Sequence, residues 1–471
     1  MERCEGNRIM KQYDVIIIGS GQAGSPLARK MAKAGKKVAI IEKRLVGGTC
    51  VNDGCTPTKA MVASARAAYL AGRCNNLGVH IDGYSIDMPQ IKKRKDAIVE
   101  HSRSGNQTSL EEDTNIDLLF GEGSFTGSKT IQVKLNAGGV EKLTAEQIFI
   151  NAGLQPVIPH IEGLQDIEYL TSTTILELEM VPQHILIIGG NYIGLEFGQM
   201  FRRFGSQITL LERGERIMSH EDADVAHEIS NILEEEGIAI HAKTQAIKFE
   251  KDHHGRILAT LDIDGRTELQ ECTHVLMATG REPQTKALNL QAAGIEINEK
   301  GFIKVDHKLQ TNVPGVYALG DINGGPAFTH IAYNDFTIVW RNLLKGQNLT
   351  TDDRPLPYCM FTDPQLGRIG ITEAEAEKQG LNYKVAVLKM QDVARAVEVG
   401  ETRGLMKAVV DADTKKILGA AILGEEGGEI MSVLQMAMQG GITYDQIRYG
   451  IFAHPTYSES LNNLFMKLDE V

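Results

Sequence analysis

The chain has 471 residues, too many for one hydrophobic core and enough for about three domains. It is 42% hydrophobic and 23% charged, and its net charge of −12 argues against a large phosphate-neutralising surface and against a nucleic-acid partner. No apolar run approaches the roughly 18 residues of a membrane helix, and the opening MERCEGNRIMKQYD lacks the apolar core of a secretory leader, so a cytoplasmic protein with no membrane partner and mostly reduced thiols is expected.

From Tyr13 the chain reads YDVIIIGSGQAGSPLARKMAKAGKKVAIIEK. This is an apolar strand, a glycine turn, a helix with Ala and Leu at helical spacing, and a second strand ending at Glu42. Gly19 allows the tight turn, Gly21 lets the backbone approach a pyrophosphate at the helix N-terminus, and Gly24 lets helix and strand pack closely. Glu42 is placed to accept hydrogen bonds from a ribose diol.

Next comes GGTCVNDGC, which sets Cys50 and Cys55 five positions apart in a chain with only six cysteines. Cys4, Cys74, Cys272 and Cys359 are scattered singly and read as buried or idle thiols, and no second close pair completes a zinc site. The following CTPTKAMVASARAAYLAG is a good helix with Pro57 suited to its first turn. Cys55 is therefore expected at or near a helix N-terminus, where the dipole favours a thiolate, with Lys59 on the same face. A cation beside a thiolate after a dinucleotide fold points to redox chemistry; the competing reading is two buried thiols and a surface lysine.

Residues 84–113 read as a polar, charged helix, followed by strands to about residue 150. IFINAGLQPVIP then ends a strand in a glycine turn at Gly153. From His184, HILIIGGNYIGLEFGQMFRRFGSQITLLER repeats the first unit, with Gly189, Gly194 and Glu212 in place and the same 23 positions from first glycine to acid. Two copies argue for two doubly wound nucleotide-binding domains. The second copy has Asn191 at the middle glycine position, where a side chain crowds a pyrophosphate, although Asn tolerates unusual backbone angles. Glu212 suits a ribose 2′-hydroxyl and repels a 2′-phosphate, which favours NAD(H) over NADP(H) despite Arg213 and Arg216 nearby. HVLMATGREP, through Gly280, pairs with IFINAGLQPVIP as the two exits flanking an inserted domain. PGVYALGDINGG ends a strand at Asp321, and His253 and His254 fall in a hairpin turn. From about Asp352 the strands KVAVLKM, LMKAVV and KILGAAILG and two helical runs indicate a third domain of α+β type.

GGTCVNDGCTPTK resembles the active-site stretch of the class I pyridine nucleotide–disulfide oxidoreductases, which include dihydrolipoamide dehydrogenase, glutathione reductase and mercuric reductase. The likeness covers nearly the whole chain in the family's order: the first nucleotide unit, the cysteine pair, NYIGLEFG, HVLMATGREP, VYALGD, FTDPQLGRIGITEAEA and HPTYSE. The fold expected is α/β, two doubly wound dinucleotide-binding domains plus a C-terminal α+β dimerisation domain. The layout is a discontinuous FAD-binding domain at 12–155 and 285–350, an NAD(P)H-binding domain at 156–284 and an interface domain at 351–471.

The resemblance implies that the first unit binds FAD, with Glu42 on the adenosine ribose and Asp321 near the ribityl and phosphate region. Thr49, Lys59, Gly153 and Gly280 join the cofactor-binding set. It implies that Cys55 is the flavin-proximal thiol, that Cys50 exchanges with substrate, and that Lys59 pairs with Glu196 near the reactive flavin nitrogen. Tyr192 is then the gate that moves for nicotinamide. His454 and Glu459 of HPTYSES form the acid–base dyad, acting on the other subunit's cysteines in a two-fold dimer. No resident metal is implied.

GGTCVN and FTHIAYNDFTIV resemble the mercuric-reductase branch, but those enzymes carry a vicinal cysteine pair at the C-terminus, where this chain reads LNNLFMKLDEV, and lack the histidine dyad. The dyad favours dithiol–disulfide exchange. Thr56 and Asp53 depart from the family pattern on the substrate side. The expected function is a FAD-dependent, mercuric-reductase-like NAD(P)H:disulfide (thiol) oxidoreductase with a redox-active Cys50–Cys55 disulfide. The alternatives are a dihydrolipoamide dehydrogenase, or a flavin reductase for a metal ion or quinone.

Overall fold

The strand Lys11–Ile18 buries apolar side chains on both faces, the pattern of a parallel strand covered on both sides. The computed structural model describes residues 10–352 and 354–469; Cys4 and the stretch read as lacking a leader lie wholly or largely outside these residues. In chain order the first elements are β1 (Lys11–Ile18), α1 (Gly24–Lys33), β2 (Val38–Glu42), the short α2 (Gly48–Asn52), α3 (Cys55–Arg73), α4 (Met88–Glu111), β3 (Ile116–Gly127), β4 (Thr130–Leu135), β5 (Val140–Ile150) and β6 (Leu154–Pro156). The repeat follows as β7 (His184–Ile188), α5 (Tyr192–Phe204), β8 (Gln207–Leu211), α6 (Ala223–Glu235) and β9 (Ile238–His241). Then come β10 (Thr244–Lys251), β11 (Ile257–Ile263), β12 (Arg266–Cys272), β13 (His274–Met277), β14 (Arg281–Pro283), β15 (Val316–Ala318) and α7 (Thr329–Lys345). The last stretch holds β16 (Tyr358–Met360), β17 (Gln365–Gly370), α8 (Glu373–Lys378), β18 (Tyr383–Lys389), α9 (Ala394–Val399), β19 (Leu405–Asp411), β20 (Ile417–Gly424), α10 (Gly427–Gln439), α11 (Tyr444–Arg448) and α12 (Ser460–Met466).

The chain divides into two compact units, one of Met1–Ala60, Lys93–Val157 and Gly280–Arg354, the other of Met61–Lys92, Ile158–Thr279 and Pro355–Val471. In the first, β1 pairs in parallel with both β2 and β5, so that Ile17 faces Ile40 and Phe149. β3 extends the sheet beyond β2, β15 extends it beyond β5, and β4 runs antiparallel between β3 and β5. Val15 and Ile17 pack with Leu27 and Met31 of α1 and Phe336 and Val339 of α7. Ile16 and Ile18 pack on the opposite face with Phe125 and Ile303. This period-two split explains why the run is apolar throughout: each fully buried Ile or Leu contributes about 1.5–3 kcal/mol. The expected paired exits are present, since β6 and β14 form an antiparallel ladder with Gln155 opposite Glu282.

In the second unit β9, β8, β7 and β13 form a parallel sheet, and β10 to β12 an antiparallel one with His253 and His254 in the turn between β10 and β11. Ile185 and Ile187 share a core with Leu195 and Phe201 of α5, while Leu186 and Ile188 face Phe249 and Leu261. The C-terminal part is a five-stranded antiparallel sheet, β16-β17-β20-β19-β18. Its Met406, Ala408 and Ile422 pack under Leu434 of α10 and Leu461 and Phe465 of α12, giving the expected α+β layer. Among the described residues no helix is long and apolar enough to cross a membrane.

Candidate active site

The turn after β1 accepts no side chain at its ends. Gly19 has a φ of +100°, and a Cβ there would lie 2.2 Å from the Asn151 carbonyl oxygen. A Cβ on Gly24 would lie 2.0 Å from the Gly19 oxygen, so α1 can start only against bare backbone. Buried Glu42 closes the turn. Its Oε2 accepts the Ser20 N–H at 3.1 Å and the Ser20 hydroxyl at 2.7 Å, and its Oε1 accepts the Arg44 N–H at 2.8 Å. Asn151 ties the turn to the rest of the sheet: Oδ1 accepts the Gly24 N–H at 3.0 Å and Nδ2 donates to the Leu319 oxygen at 2.8 Å.

The second copy repeats this construction. Glu212 Oε2 accepts the Gly190 N–H at 2.9 Å and Oε1 accepts the Gly214 N–H at 2.6 Å. Cβ atoms on Gly189 and Gly194 would lie 2.4 Å and 2.2 Å from the Ala278 and Gly189 oxygens. Asn191 has extended backbone, φ −106° and ψ 177°, and its Oδ1 accepts the Tyr192 N–H at 2.8 Å. The departure from glycine is therefore a helix cap: the amide oxygen meets one of the orphan N–H groups at the start of α5. Arg216 turns away to donate to the Glu221 backbone oxygen at 3.1 Å, while Arg213 is exposed.

Between β2 and α3 the chain makes the one-turn helix α2, which carries Thr49 and Cys50. Asn52 Nδ2 stitches it by donating to the Val46 and Gly48 oxygens, both at 3.0 Å. Asp53 forms an ion pair with Arg44, which accounts for a carboxylate between the two cysteines; nothing in the structure explains Thr56. Cys55 is the first residue of α3, as expected. Its Sγ lies 3.4 Å from the Thr329 hydroxyl, at the start of α7. The Cys50 thiol is pushed well up by a hydrogen bond with Cys55, by burial and by the Cys55 charge, against the pull of Thr329 and the Lys59 ammonium. In this cluster burial and Cys55 together favour the proton on Cys50.

Asp321 lies on a short 3₁₀ turn, Gly320–Asn323. Burial pushes its carboxyl above the ordinary range, with Arg281 pulling back down. The turn is held by Asp335 of α7, whose Oδ2 accepts the Gly320 N–H at 2.8 Å and Asn323 Nδ2 at 3.2 Å, and whose Oδ1 accepts Arg354 Nη1 at 2.6 Å. Arg281 donates Nη2 to the Leu154 oxygen at 2.9 Å, and its buried Nε has no hydrogen-bond partner among the described residues. A buried orphan N–H costs free energy unless a ligand meets it. With open space beyond the positive-φ positions Gly153 and Gly280, these residues fit a dinucleotide such as FAD.

In the second unit, buried Glu196 accepts the Phe361 N–H on Oε1 at 2.7 Å. One turn on, Gln199 accepts the Asp363 N–H and donates to the Asp363 oxygen, both at 2.8 Å. His454 is 69% exposed, with Nδ1 2.9 Å from Glu459 Oε2. That bond fixes the ring and turns Nε2 outward, the arrangement of an oriented acid–base group. The structure thus brings together Cys50, Cys55 and Lys59, each glycine turn with its acid, and His454 with Glu459. Lys59 belongs to the first unit and Glu196 to the second. Sequence reasoning singled out neither Thr329 nor Asn151 nor Asp335. Asn151 and Thr329 lie within the quoted stretches IFINAGLQPVIP and FTHIAYNDFTIV, but their partners are 127, 168 and 274 positions away, so the motifs alone do not show what these two side chains hold.

Two family models match the chain: pyridine nucleotide-disulphide oxidoreductase over residues 13–335, and the dimerisation domain of the same family over residues 356–465. A mercuric reductase of Streptomyces lividans is 36% identical over 450 residues, covering 95% of this chain and 94% of that protein. The probable pyridine nucleotide-disulfide oxidoreductase RclA of Escherichia coli K12 is 36% identical over 460 residues, covering 97% and 99%. A solved structure described as the Cu(II) complex of the HOCl-induced flavoprotein disulfide reductase RclA from Escherichia coli superposes with a TM-score of 0.89, covering 97% of this chain and 99% of that one. The mixed α/β fold, the FAD expected of flavoprotein disulfide reductases and the homodimer supported by the dimerisation domain all follow from these matches. The chain belongs to the pyridine nucleotide-disulphide oxidoreductases.

Proposed function

We propose that the protein is a cytoplasmic, homodimeric NAD(P)H:disulfide oxidoreductase whose working sulfurs are Cys50 and Cys55. Residues 12–155 and 285–350 hold FAD, 156–284 hold the nicotinamide nucleotide, and 351–471 form the dimer interface. The observation that carries the reading is the sulfur cluster itself. Cys55 opens a helix with its Sγ 3.4 Å from the Thr329 hydroxyl, and Cys55 and burial push the neighbouring Cys50 thiol up against the pull of the Lys59 charge.

Bound FAD supplies a two-electron relay between nicotinamide and sulfur. Glu42 and Asp321 would orient it, Gly19, Gly21, Gly24, Thr49, Gly153 and Gly280 would leave it room, and Lys59 would place a cation beside it. Gly189, Gly194 and Glu212 hold the nicotinamide nucleotide, and Tyr192 gates its approach. Both Glu212 oxygens take backbone N–H groups and Arg216 is engaged elsewhere, which supports NADH over NADPH.

Reduction opens the Cys50–Cys55 bond and leaves the charge on Cys55 and the proton on Cys50. Because Cys50 holds its proton, attack on a substrate disulfide needs a base. His454, oriented by Glu459, takes that proton, each protomer serving the cysteines of the other. Cys50 then forms a mixed disulfide and releases one substrate thiol, protonated by His454. Cys55 attacks Cys50, restores the bond and releases the second thiol. Per turnover one NADH and one proton are consumed and one disulfide becomes two thiols. Anaerobic reduction by NADH and by NADPH, then a panel of lipoamide, glutathione disulfide, mercuric ion and quinone, tests the reading; turnover of a disulfide that vanishes in Cys50→Ser supports it.

A second reading, reduction of a thiophilic metal ion held by the two cysteines, is favoured by the mercuric reductase and the Cu(II) complex among the relatives. Metal reduction that survives His454→Gln, with no disulfide turned over by the unaltered protein, selects it.

A further inference from the structure

The His454 loop is bonded mostly to itself. His454 meets Glu459, the Thr456 hydroxyl donates to the Ala453 oxygen at 2.9 Å, and the Glu459 N–H returns to Thr456 Oγ1 at 3.2 Å. Tyr457 reaches out of the loop: its hydroxyl donates to Glu425 Oε2 at 2.8 Å. The other Glu425 oxygen takes Arg66, whose Nη1 also donates to Asp363 Oδ1 at 2.9 Å. Asp363 is held in turn by Arg203 at 2.6 Å, and Arg203 pairs with Glu236 at 2.7 Å. Glu425 is thus the end of a ladder of alternating charges. Burial, the bond to Glu425 and its charge push the Tyr457 hydroxyl up, so it stays a donor at neutral pH. The Tyr457 ring packs on the C-terminal core, which leaves the hydroxyl as the polar tip of an otherwise apolar anchor.

We propose that Tyr457, through Glu425 and Arg66, is a positioning residue for the acid–base dyad. The ring of this 69% exposed histidine is tied, among the described residues, only to a carboxylate of its own loop, so its position depends on how that loop is anchored to the rest of the protein, by the apolar packing of Phe452 and Tyr457 and by the polar bond from Tyr457 to Glu425. A proton transfer that requires heavy atoms within hydrogen-bond reach depends on that anchoring, and small misplacements cost large factors in rate. The Tyr457–Glu425 bond supplies its polar part. The inference rests on the reading of His454 as the acid–base group.

The test uses the FAD-loaded dimer with a small aromatic disulfide, dithiobis-nitrobenzoate, as probe. Tyr457→Phe keeps the ring and removes the hydroxyl. It should lower kcat for disulfide reduction about tenfold while leaving KM for the nicotinamide and the rate of flavin reduction by it unchanged. Glu425→Ala should reproduce the loss, and Glu425→Gln, which still accepts a hydrogen bond, should recover most of it. In a His454→Gln background Tyr457→Phe should add nothing, because an anchor without its histidine has no task. Wild-type kcat in Tyr457→Phe with an impaired His454→Gln overturns the anchor alone. An equal further loss in the His454→Gln background overturns it as well, marking a general structural effect. Unimpaired His454→Gln overturns both the anchor and the dyad reading.

Discussion

At the scale of single residues, the carboxyl of Asp321 offers a measurement on the protein without FAD. Burial raises it, so the proton is held more tightly in the fold than in the unfolded chain. The apoprotein therefore loses stability as pH rises from below the ordinary carboxylate range through the raised value, and does not regain it above. Asn has no proton to lose. Apo Asp321→Asn should melt higher than the unaltered apoprotein at neutral pH, with the difference closing in acid, and should release FAD faster. Equal melting at neutral pH, or unchanged FAD release, would contradict the assignment. Cys50 makes the complementary case: its raised thiol demands a base, so Cys50→Ser should abolish disulfide reduction while leaving dye reduction by NADH intact. Loss of both activities would place the sulfur in the flavin's environment rather than at the substrate.

At the scale of elements, the two glycine turns separate geometry from flexibility. Gly24→Ala puts a Cβ 2.0 Å from a backbone oxygen, so α1 must shift; a loss of at least about 2 kcal/mol and weaker FAD retention are expected. Gly105 lies inside α4 with nothing within 4 Å of a built Cβ, so Gly105→Ala should gain about 0.5–1 kcal/mol through helix propensity. Thermal melts of the pair should move in opposite directions; a neutral Gly24→Ala would refute the close approach. These turns were legible in the sequence because strand, glycine and acid recur at one spacing, and because a period-two apolar split must be buried on both faces. Cys55 at the head of α3 was legible from its alanine-rich run. The single turn α2 was not: five residues have no periodicity, and its order comes from Asn52 and the Arg44–Asp53 pair. Nor was Asn151, whose partners lie 127 and 168 positions away, nor Asp335, which holds a turn 15 positions back that shows no helical or strand period. Asn191 reads in the sequence as a departure from a phosphate turn, and its capping bond appears only in the folded chain.

At the scale of the whole molecule, the dimer makes each site a composite in the proposed reading. Mixing Cys50→Ser with His454→Gln protomers should create hybrids with one intact site, recovering about one quarter of wild-type disulfide reduction after random reassortment. No recovery after confirmed subunit exchange would place cysteine and histidine in one protomer. The choice of nucleotide belongs here too. Glu212→Ala should narrow the preference for NADH over NADPH about tenfold, and an unchanged ratio of kcat/KM would show that this carboxylate does not meet the ribose.

The central claim is that electrons from a nicotinamide pass through FAD into the Cys50–Cys55 bond. Anaerobic titration with NADH, followed by absorbance, tests it most directly. The protein should take up about two equivalents per FAD, with a long-wavelength thiolate-to-flavin band growing over the first and absent from Cys55→Ser. Full bleaching of the flavin by the first equivalent, with no such band and no gain of thiols, would contradict the account.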